Sequence, residues 1–335
     1  MLKLLILSVL GLEISALVCD PGWVQSFDRC DPGLAFLVGG SHFALDKRLG
    51  FSNTSEIFAL SKTLADYPRL IDAPIMTWKD DHVLVCGGRN QGEDDPVLNE
   101  CWDYWPCSNE WKVSSTPPLL TTRVGASFVT VSIQGKRYLW VLGGSESDES
   151  QSLVTTELLD FSTNQWLPGP NLAYGRFSSC ALDLGEGSVM MVGGFPTYTN
   201  TEMIHLEDGS YLSQNESLNE FRWGHGCANL PDGRQLALGG LDENFLSKLS
   251  TEIYDGTKWL MGPSLPSSRS GMTVLNLDGR PTLFGGVQLS VIWHTEVLAL
   301  DLDQGEWVEL PEKLLEAHTS GAGTLVPNSI FDSCP

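Results

Sequence analysis

The sequence predicts an all-β protein built from six copies of one structural unit, and two observations carry this prediction. Gly-Gly pairs recur about 49 residues apart on average, and a fixed period of that size is typical of a repeat architecture. Short apolar runs such as 138–142 and 189–192 end directly before these pairs, as expected of buried strands. Helical periodicity is weak along the whole chain. The six pairs are Gly39-Gly40, Gly87-Gly88, Gly143-Gly144, Gly193-Gly194, Gly239-Gly240 and Gly285-Gly286.

Three further residue types keep the same spacing. A small polar residue followed by Glu occurs as Ser55-Glu56, Asn99-Glu100, Thr156-Glu157, Thr201-Glu202, Thr251-Glu252 and Thr295-Glu296. An aromatic residue follows each of these, at Tyr67, Trp111, Trp166, Tyr211, Trp259 and Trp307. An arginine precedes five of the Gly-Gly pairs, at Arg69, Arg123, Arg176, Arg222 and Arg269. Four columns in one register show that the repeat is not a chance recurrence of glycine.

This pattern resembles the kelch repeat from about Pro32 to the C-terminus: apolar residues before Gly-Gly, a Glu-containing strand, then a spaced Trp. The resemblance implies a six-bladed kelch-type β-propeller with four-stranded antiparallel blades. It also implies that the aromatic column packs between blades. Tyr67 and Tyr211 depart from the pattern, and a Tyr ring can fill the same inter-blade space.

The order of the units predicts how the ring closes. The apolar strand Gly33–Gly40 has no inner partner before it, whereas blades 2 to 6 begin near Pro74, Val124, Phe177, Trp223 and Ser270. A strand-like run remains at the end of the chain, Ser320 to Val326. Since open sheet edges aggregate, we expect this C-terminal strand to complete the first blade. Residues 33–335 then form a single propeller domain.

The N-terminus predicts export. Residues 1–16 combine Lys3, an apolar run from Leu4 to Leu12 and the small residue Ala16, as in a secretory signal peptide. The run is too short to span a bilayer, which takes ~20 residues. A short lead-in, 17–32, separates it from the propeller. We therefore expect a secreted, extracellular protein without a membrane anchor.

Eight cysteines fit an oxidising compartment: Cys19, Cys30, Cys86, Cys101, Cys107, Cys180, Cys227 and Cys334. Cys86 ends one predicted strand and Cys101 lies on the next, which favours a cross-strand bridge between them, although Cys101 could instead pair with Cys107. Ring closure would bring Cys334 near Cys19 or Cys30. Two glycosylation sequons begin at Asn53 and Asn215.

Composition excludes several function classes. The chain has 20 Lys and Arg against 42 Asp and Glu, a net charge of −22, so a nucleic acid or an anionic membrane is not the expected partner. The six histidines lie at no metal-ligand spacing, and neither a Gly-x-Ser-x-Gly elbow nor a phosphate-binding Walker loop occurs. We expect no metal and no cofactor.

The arginine column has two interpretations. Each arginine stands at the start of a predicted inner strand, and these starts converge on one mouth of the central channel. The column could form a ligand-binding basic rim, with His318 in the corresponding place of the closing strand, suited to anionic ligands. Alternatively, each arginine satisfies loop carbonyls or pairs with a carboxylate of a neighbouring blade.

The expected function is binding rather than catalysis, because the resemblance implies a recognition module for an extracellular protein or glycan. We expect a monomer. The alternative is an extracellular carbohydrate-processing enzyme similar to the exported, six-bladed kelch sialic acid mutarotase, which would use Arg and Glu at the propeller mouth.

Overall fold

Six antiparallel sheets stand around a central axis in the computed structural model, which describes residues 34–43, 49–51, 54–58, 64–90, 96–147, 152–206, 211–212, 216–289 and 291–331. The predicted all-β, six-bladed propeller is confirmed. Blades 2 to 6 each have four strands ordered from the axis outwards. The short apolar runs and intervening turns form these strands because alternate side chains of each strand can be buried against the blades on either side.

The strands follow one another along the chain as β1 (Leu34–Val38), β2 (Ser41–Phe43), β3 (Leu49–Phe51), β4 (Ser55–Ile57), β5 (Ile71–Asp72), β6 (Ile75–Lys79), β7 (His82–Cys86), β8 (Arg89–Asn90), β9 (Cys101–Trp105), β10 (Glu110–Val113), β11 (Ser127–Ile133), β12 (Lys136–Leu142), β13 (Thr156–Asp160), β14 (Gln165–Pro168), β15 (Cys180–Gly185), β16 (Ser188–Val192), β17 (Thr201–His205), β18 (Tyr211–Leu212), β19 (Gly226–Asn229), β20 (Gln235–Leu238), β21 (Thr251–Tyr254), β22 (Trp259–Met261), β23 (Thr273–Leu277), β24 (Arg280–Phe284), β25 (Val287–Gln288), β26 (Ile292–Trp293), β27 (Glu296–Asp301), β28 (Glu306–Lys313) and β29 (Ala322–Val326). A 3-10 turn, Asn328–Phe331, follows β29.

The blades comprise β6-β7-β9-β10, β11-β12-β13-β14, β15-β16-β17-β18, β19-β20-β21-β22 and β23-β24-β27-β28, counted from blade 2 and from the axis outwards. Three two-stranded ribbons, β2-β3, β5-β8 and β25-β26, lie in the connections. Among the described residues, no helix is long and apolar enough to cross a membrane.

The C-terminal strand closes the ring, as the sequence predicts. In blade 1, β29 pairs antiparallel with β1, placing Ala322 opposite Val38 and Val326 opposite Leu34. Strand β4 pairs with the other edge of β1. The inner strands β29, β6, β11, β15, β19 and β23 then contact one another in that order, and β23 returns to β29. Both ends of the described chain are therefore built into one blade.

The core lies between blades rather than at the axis. Six buried apolar clusters each draw residues from two adjacent blades. One example joins Val131 and Trp140 of blade 3 to Val189 and Met191 of blade 4. Burial of apolar area between blades is therefore what holds the separate sheets together.

The Gly-Gly pairs make the junction from one blade to the next. Gly239 and Gly240 both have positive φ, 60° and 89°, a conformation that glycine adopts without steric cost. A Cβ on Gly239 would lie 2.6 Å from the carbonyl oxygen of Arg269 in the following blade, and the N–H of Gly240 donates to that oxygen at 2.9 Å. A side chain at Gly239 would clash with this oxygen, so the junction requires glycine.

Candidate functional site

The arginine column lies inside the blades. The side chain of Arg123 enters blade 3, where Nε donates to Glu157 Oε1 at 2.5 Å and Nη1 donates to the carbonyl oxygens of Gly143 and Thr155 at 2.7 and 2.9 Å. The side chains of Arg123 and Glu157 are each 1% exposed. This arginine therefore ties the Gly-Gly turn of its blade to the Glu of the third strand.

Blades 4 and 5 repeat the arrangement. Arg176 donates to Glu202 at 2.6 Å and to the Gly193 carbonyl at 3.1 Å. Arg222 donates to Glu252 at 3.1 Å and to the carbonyl oxygen of Gly239 at 3.0 Å. Burial lowers the pKa of both Arg176 and Arg222, and the paired carboxylates partly offset this effect.

The Glu of each pair also accepts a backbone N–H from the link that enters the blade. Leu120 donates to Glu157 at 2.6 Å, and Ala173 donates to Glu202 at 2.8 Å. Both donors lie three residues before the arginine of their blade. The buried carboxylate is thus satisfied by a guanidinium and a backbone amide, as a buried charge must be to avoid a large desolvation cost.

His318 takes the arginine's place in blade 1. Its Nδ1 donates to the Gly39 carbonyl at 2.9 Å, and its Nε2 lies 3.7 Å from Glu56 Oε2. Leu315, three residues earlier, donates its N–H to the same carboxylate at 3.1 Å. In blade 2, Arg69 pairs with Glu100, but both side chains are about one-third exposed, at 37% and 34%.

These positions correct the basic-rim interpretation. Arg123, Arg176, Arg222 and Arg269 are at most 2% exposed, and their guanidinium groups point into the blades, so they do not form a basic rim at the channel mouth. The carboxylate that Arg123, Arg176 and Arg222 pair with also belongs to their own blade, not to a neighbouring one. Each of these arginines contacts the preceding blade through its backbone carbonyl oxygen, which accepts a hydrogen bond from that blade.

Blade 6 departs from the motif. Arg269 still donates to the Gly285 carbonyl at 3.2 Å, but its Nε is buried without a hydrogen-bond partner. Glu296 accepts instead from His294 Nδ1 at 3.1 Å. The residue three before Arg269 is Pro266, which has no N–H to donate to the carboxylate.

The altered pairing changes the electrostatics and the exposure of blade 6. Burial lowers the pKa of Arg269 to about 10, although Glu296 and Glu309 raise it. Burial also lowers the pKa of His294, with a further contribution from Arg269 and opposition from Glu296. The Glu296 side chain is 33% exposed, against 0–5% for its counterparts in blades 3 to 5. Blade 6 therefore presents a solvent-accessible carboxylate hydrogen-bonded to a histidine.

The tryptophans of the aromatic column pack against the preceding blade, whereas Tyr67 lies between its own blade 1 and the following blade 2. Trp166, Trp259 and Trp307 are buried in the clusters between blades 2 and 3, 4 and 5, and 5 and 6. Trp111 is half-buried against the cluster of blades 1 and 2, its ring 4.8 Å from that of the buried Tyr67. The side chain of Tyr211 lies outside the described residues.

Two disulfides join described residues. Cys86–Cys101 links the adjacent strands β7 and β9, as the sequence favours, with a Cα–Cα distance of 4.1 Å. Cys180–Cys227 joins the inner strands of blades 4 and 5 and was not predicted, because the two residues are 47 positions apart and meet only when the blades pack. Because Cys101 is bonded to Cys86, the alternative Cys101–Cys107 pairing is wrong; Cys107 is also disulfide-bonded. Cys19, Cys30, Cys334, the sequon residues Asn53 and Asn215, and the signal and lead-in segments lie outside the described residues.

The most distinctive exposed feature is a chain of aromatic rings that the sequence analysis missed. We call it the aromatic cluster, and its members are Phe177, Phe195, Tyr198, Phe221, Trp223 and Phe245. Successive ring centroids are 5.2 to 5.9 Å apart along the path Phe177–Phe195–Trp223–Phe245, and Phe195–Tyr198–Phe221 branches from it. Phe221 is 42% exposed and Phe245 64%, and the other four are half-buried.

The cluster lies at the end of the propeller that carries the Gly-Gly turns, which we call the loop face. Phe177 and Trp223 directly follow Arg176 and Arg222. Successive residues of an extended chain point to opposite sides, so the arginine enters the blade while the next residue faces outwards. Phe195 and Phe245 come from the loops after the Gly-Gly pairs of blades 4 and 5. The signal that sequence analysis could have used was therefore the residue after each arginine.

An open recess of about 540 Å³ adjoins the aromatic cluster. It is lined by Ala173, Tyr174, Gly175, Pro196, Thr197 and Asn200, and Pro196 and Thr197 lie between the cluster residues Phe195 and Tyr198. No group of three or more His, Cys, Asp or Glu side chains in the described part of the chain is placed to hold a metal ion.

Comparisons with known proteins support the fold. No family model and no curated protein matches the sequence. Among solved structures, one titled "Structure of YjhT" matches with a TM-score of 0.62 and 15% sequence identity, and the match covers 81% of this chain and 91% of that one. At this identity the likeness shows a shared propeller architecture, and function must be argued from the residues.

Proposed function

We propose that this protein is a secreted kelch-type propeller that serves as an extracellular binding module, and that it contacts a protein partner through the aromatic cluster on the loop face. The signal-like N-terminus, the two disulfides and the repeat pattern support the secreted and kelch-type parts of the proposal.

The observation that carries the binding function is the exposure of the aromatic cluster. A chain with 42 acidic residues has enough polar surface to avoid exposing Phe221 and Phe245 within one cluster of aromatic rings. Contiguous exposed apolar patches are typical of interaction sites, and Trp and Tyr are enriched among the residues that dominate interface energies.

Affinity capture tests this function. The mature protein, immobilised as bait in extracellular fluid of the source organism, should retain a partner that the double variant Phe221→Ser/Phe245→Ser does not retain. The control is Met261→Ser, which replaces a 57% exposed apolar residue on the outer strand of blade 5. If both variants are folded in thermal melts and retain the partner equally, the partner binds outside the aromatic cluster.

A second candidate function is carbohydrate processing of the sialic acid mutarotase type. The observation that favours it is the partly exposed Glu296 held by His294 beside Arg269, because a carboxylate and an imidazole can together move protons during sugar ring opening. NMR measurement of anomer exchange in N-acetylneuraminic acid tests it. Acceleration by the native protein that Glu296→Gln abolishes would support this activity, and a rate equal to buffer alone would eliminate it.

A further inference from the structure

We infer that the partner segment bound by the aromatic cluster is a cationic, apolar stretch of polypeptide, in which lysine or arginine residues flank large aliphatic or aromatic side chains. This inference rests on the proposed binding function and adds the chemistry of the partner.

The apolar surface continues beyond the aromatic rings. Leu246 and Leu249 are 51% and 47% exposed on the loop that carries Phe245. The next loop exposes Leu289, Val291 and Ile292, and it is joined to the first by a hydrogen bond from the Leu289 N–H to Ser247 Oγ at 3.0 Å. The loops of blades 4, 5 and 6 therefore form one apolar surface that can receive several partner side chains.

Two aromatic residues of the cluster are held in a costly backbone conformation. Phe245 has φ = 62° and Tyr198 has φ = 44°, values that bulky residues rarely adopt. The Phe245 loop is also pinned by Asp242, whose Oδ1 accepts the N–H groups of Asn244 and Leu246 at 2.8 and 2.9 Å. These bonds hold the backbone of the loop that presents Phe245, which lowers the entropy lost on binding.

The charge around this apolar surface is negative. Described loop-face residues of blades 3 to 6 include the acidic side chains Glu146, Glu216, Glu220, Asp242, Glu243 and Glu296. Among the described residues of these loops, Lys248 is paired with Glu220 at 3.1 Å, and Lys313, opposite Glu296 in the sheet, is paired with Glu309 at 3.3 Å. The arginines Arg176, Arg222 and Arg269 are buried inside the blades. An acidic border around an apolar centre is complementary to a segment whose basic residues flank apolar ones.

The same charge disfavours the other occupants. Two copies of a chain with net charge −22 would repel each other across this face. An anionic glycan would meet carboxylates on the described loop face of blades 3 to 6, where Arg123, Arg176, Arg222 and Arg269 are buried inside the blades. The recess beside Tyr174 and Pro196 is open and largely apolar, which suits an aliphatic or aromatic side chain better than a sulfate or carboxylate.

Selection from a phage-displayed library of short random peptides tests the inference with a defined probe. Peptides enriched on the native protein should carry net positive charge and at least two large apolar residues. Their affinity should fall about 30-fold or more in Phe221→Ser/Phe245→Ser, the loss expected for interface anchors. Met261→Ser should bind them as the native protein does.

Charge reversal tests whether the partner is positively charged, separately from whether it binds the aromatic cluster. Glu216→Lys/Glu243→Lys changes two exposed carboxylates and should weaken the enriched basic peptides about tenfold at low salt, with the difference shrinking as salt screens the charges. Enriched peptides that are acidic or neutral, or that bind the charge-reversed variant equally well, would overturn the cationic partner while leaving a cluster-dependent binding function intact. Binding of heparin fragments to the native protein at the cluster, or dimerisation that Phe221→Ser/Phe245→Ser abolishes, would likewise overturn it.

Discussion

At the scale of single residues, the chain repeats one charged motif that faces inwards. A buried guanidinium–carboxylate pair is tolerated only when its remaining donors and acceptors are satisfied. In blade 5, Arg222 achieves this through Glu252 and the carbonyl oxygens of Gly239 and Ser250. Removing one member therefore leaves a buried, uncompensated charge.

We expect Arg222→Ala to lower the free energy of unfolding by about 3–5 kcal/mol, the usual cost of breaking a buried ion pair. The matched control is Arg234→Ala, whose partner Asp232 and own side chain are about half exposed, and which should cost at most about 1 kcal/mol. Urea unfolding monitored by tryptophan fluorescence gives both values. Similar losses for the two variants would refute the structural role of the Arg222 pair.

His225 makes stability depend on pH. Its ring is buried against the backbone of Gly193 in blade 4, and burial, with a smaller contribution from the charge of Arg222, lowers its pKa from 6.5 to about 3. Between pH 6.5 and about 3, the imidazole of His225 is protonated in the unfolded chain but stays neutral in the folded chain. The contribution to stability is therefore complete above pH 6.5 and declines as the pH falls towards 3, by about 1.4 kcal/mol per pH unit.

Urea midpoints between pH 4 and 6 should accordingly change less steeply with pH in His225→Leu than in the native protein. His294, whose pKa is also lowered, remains in the variant and retains part of the slope. Identical slopes in the two proteins would show that His225 does not stay neutral in the fold.

At the scale of the blade, cohesion comes from side chains that reach the preceding sheet. Trp166 on the outer strand β14 is 7% exposed within the cluster of blades 2 and 3. Its Nε1 donates to the carbonyl oxygen of Pro117, on the link that leaves blade 2, at 2.8 Å. Trp307 makes the equivalent bond to Pro263 at 3.0 Å, so these two tryptophans both fill their interfaces and hold the links. The Nε1 of Trp259 is buried without such a bond.

Trp166→Ala should destabilise the protein by about 3–5 kcal/mol, as expected for a large aromatic removed from a core. Leu260→Ala, on an outer strand but 44% exposed, is the comparison and should change stability by less than about 1 kcal/mol. Calorimetric melting of the two variants measures the difference. A melting temperature for Trp166→Ala equal to that of the native protein would mean that the ring is not part of the interface.

At the scale of the whole molecule, stability depends on a closed ring. On its axial side blade 1 is completed by β29, which pairs with β1 and contacts β6 and β23, the inner strands of the two neighbouring blades. Without β29, the backbone edge of β1 and the faces of β6 and β23 would be exposed. Open edges and uncovered apolar faces favour aggregation.

Truncation after Glu316 should therefore prevent folding. We expect the truncated chain to lack a cooperative thermal transition and to elute as aggregate in size-exclusion chromatography, while the full chain gives one sharp peak. A stable truncated monomer with a cooperative transition would contradict closure by the C-terminal strand.

Sequence periodicity predicted six repeating units, the resemblance to the kelch repeat made them the blades of a propeller with a C-terminal closing strand, and the placement of Cys86 and Cys101 on neighbouring strands favoured their bridge over Cys101–Cys107. Each of these depends on local chemistry that repeats in register: positive-φ glycines, apolar strands and neighbouring strands of one sheet. The direction of the arginine side chains was undecided by the sequence, because an arginine at the start of an inner strand can face the channel mouth or its own blade.

Tertiary structure decided that direction, since burial of Glu157, Glu202 and Glu252 provides partners that only the assembled blade brings within hydrogen-bonding distance. It likewise brought together Cys180 with Cys227, and Phe177 with Trp223, residues from adjacent blades separated by nearly one repeat. The sequence by itself determined the repeating unit and its number, because these follow from local backbone preferences and hydrophobic spacing. Only the packing of blade against blade determined which side chains became scaffold and which formed the exposed aromatic surface.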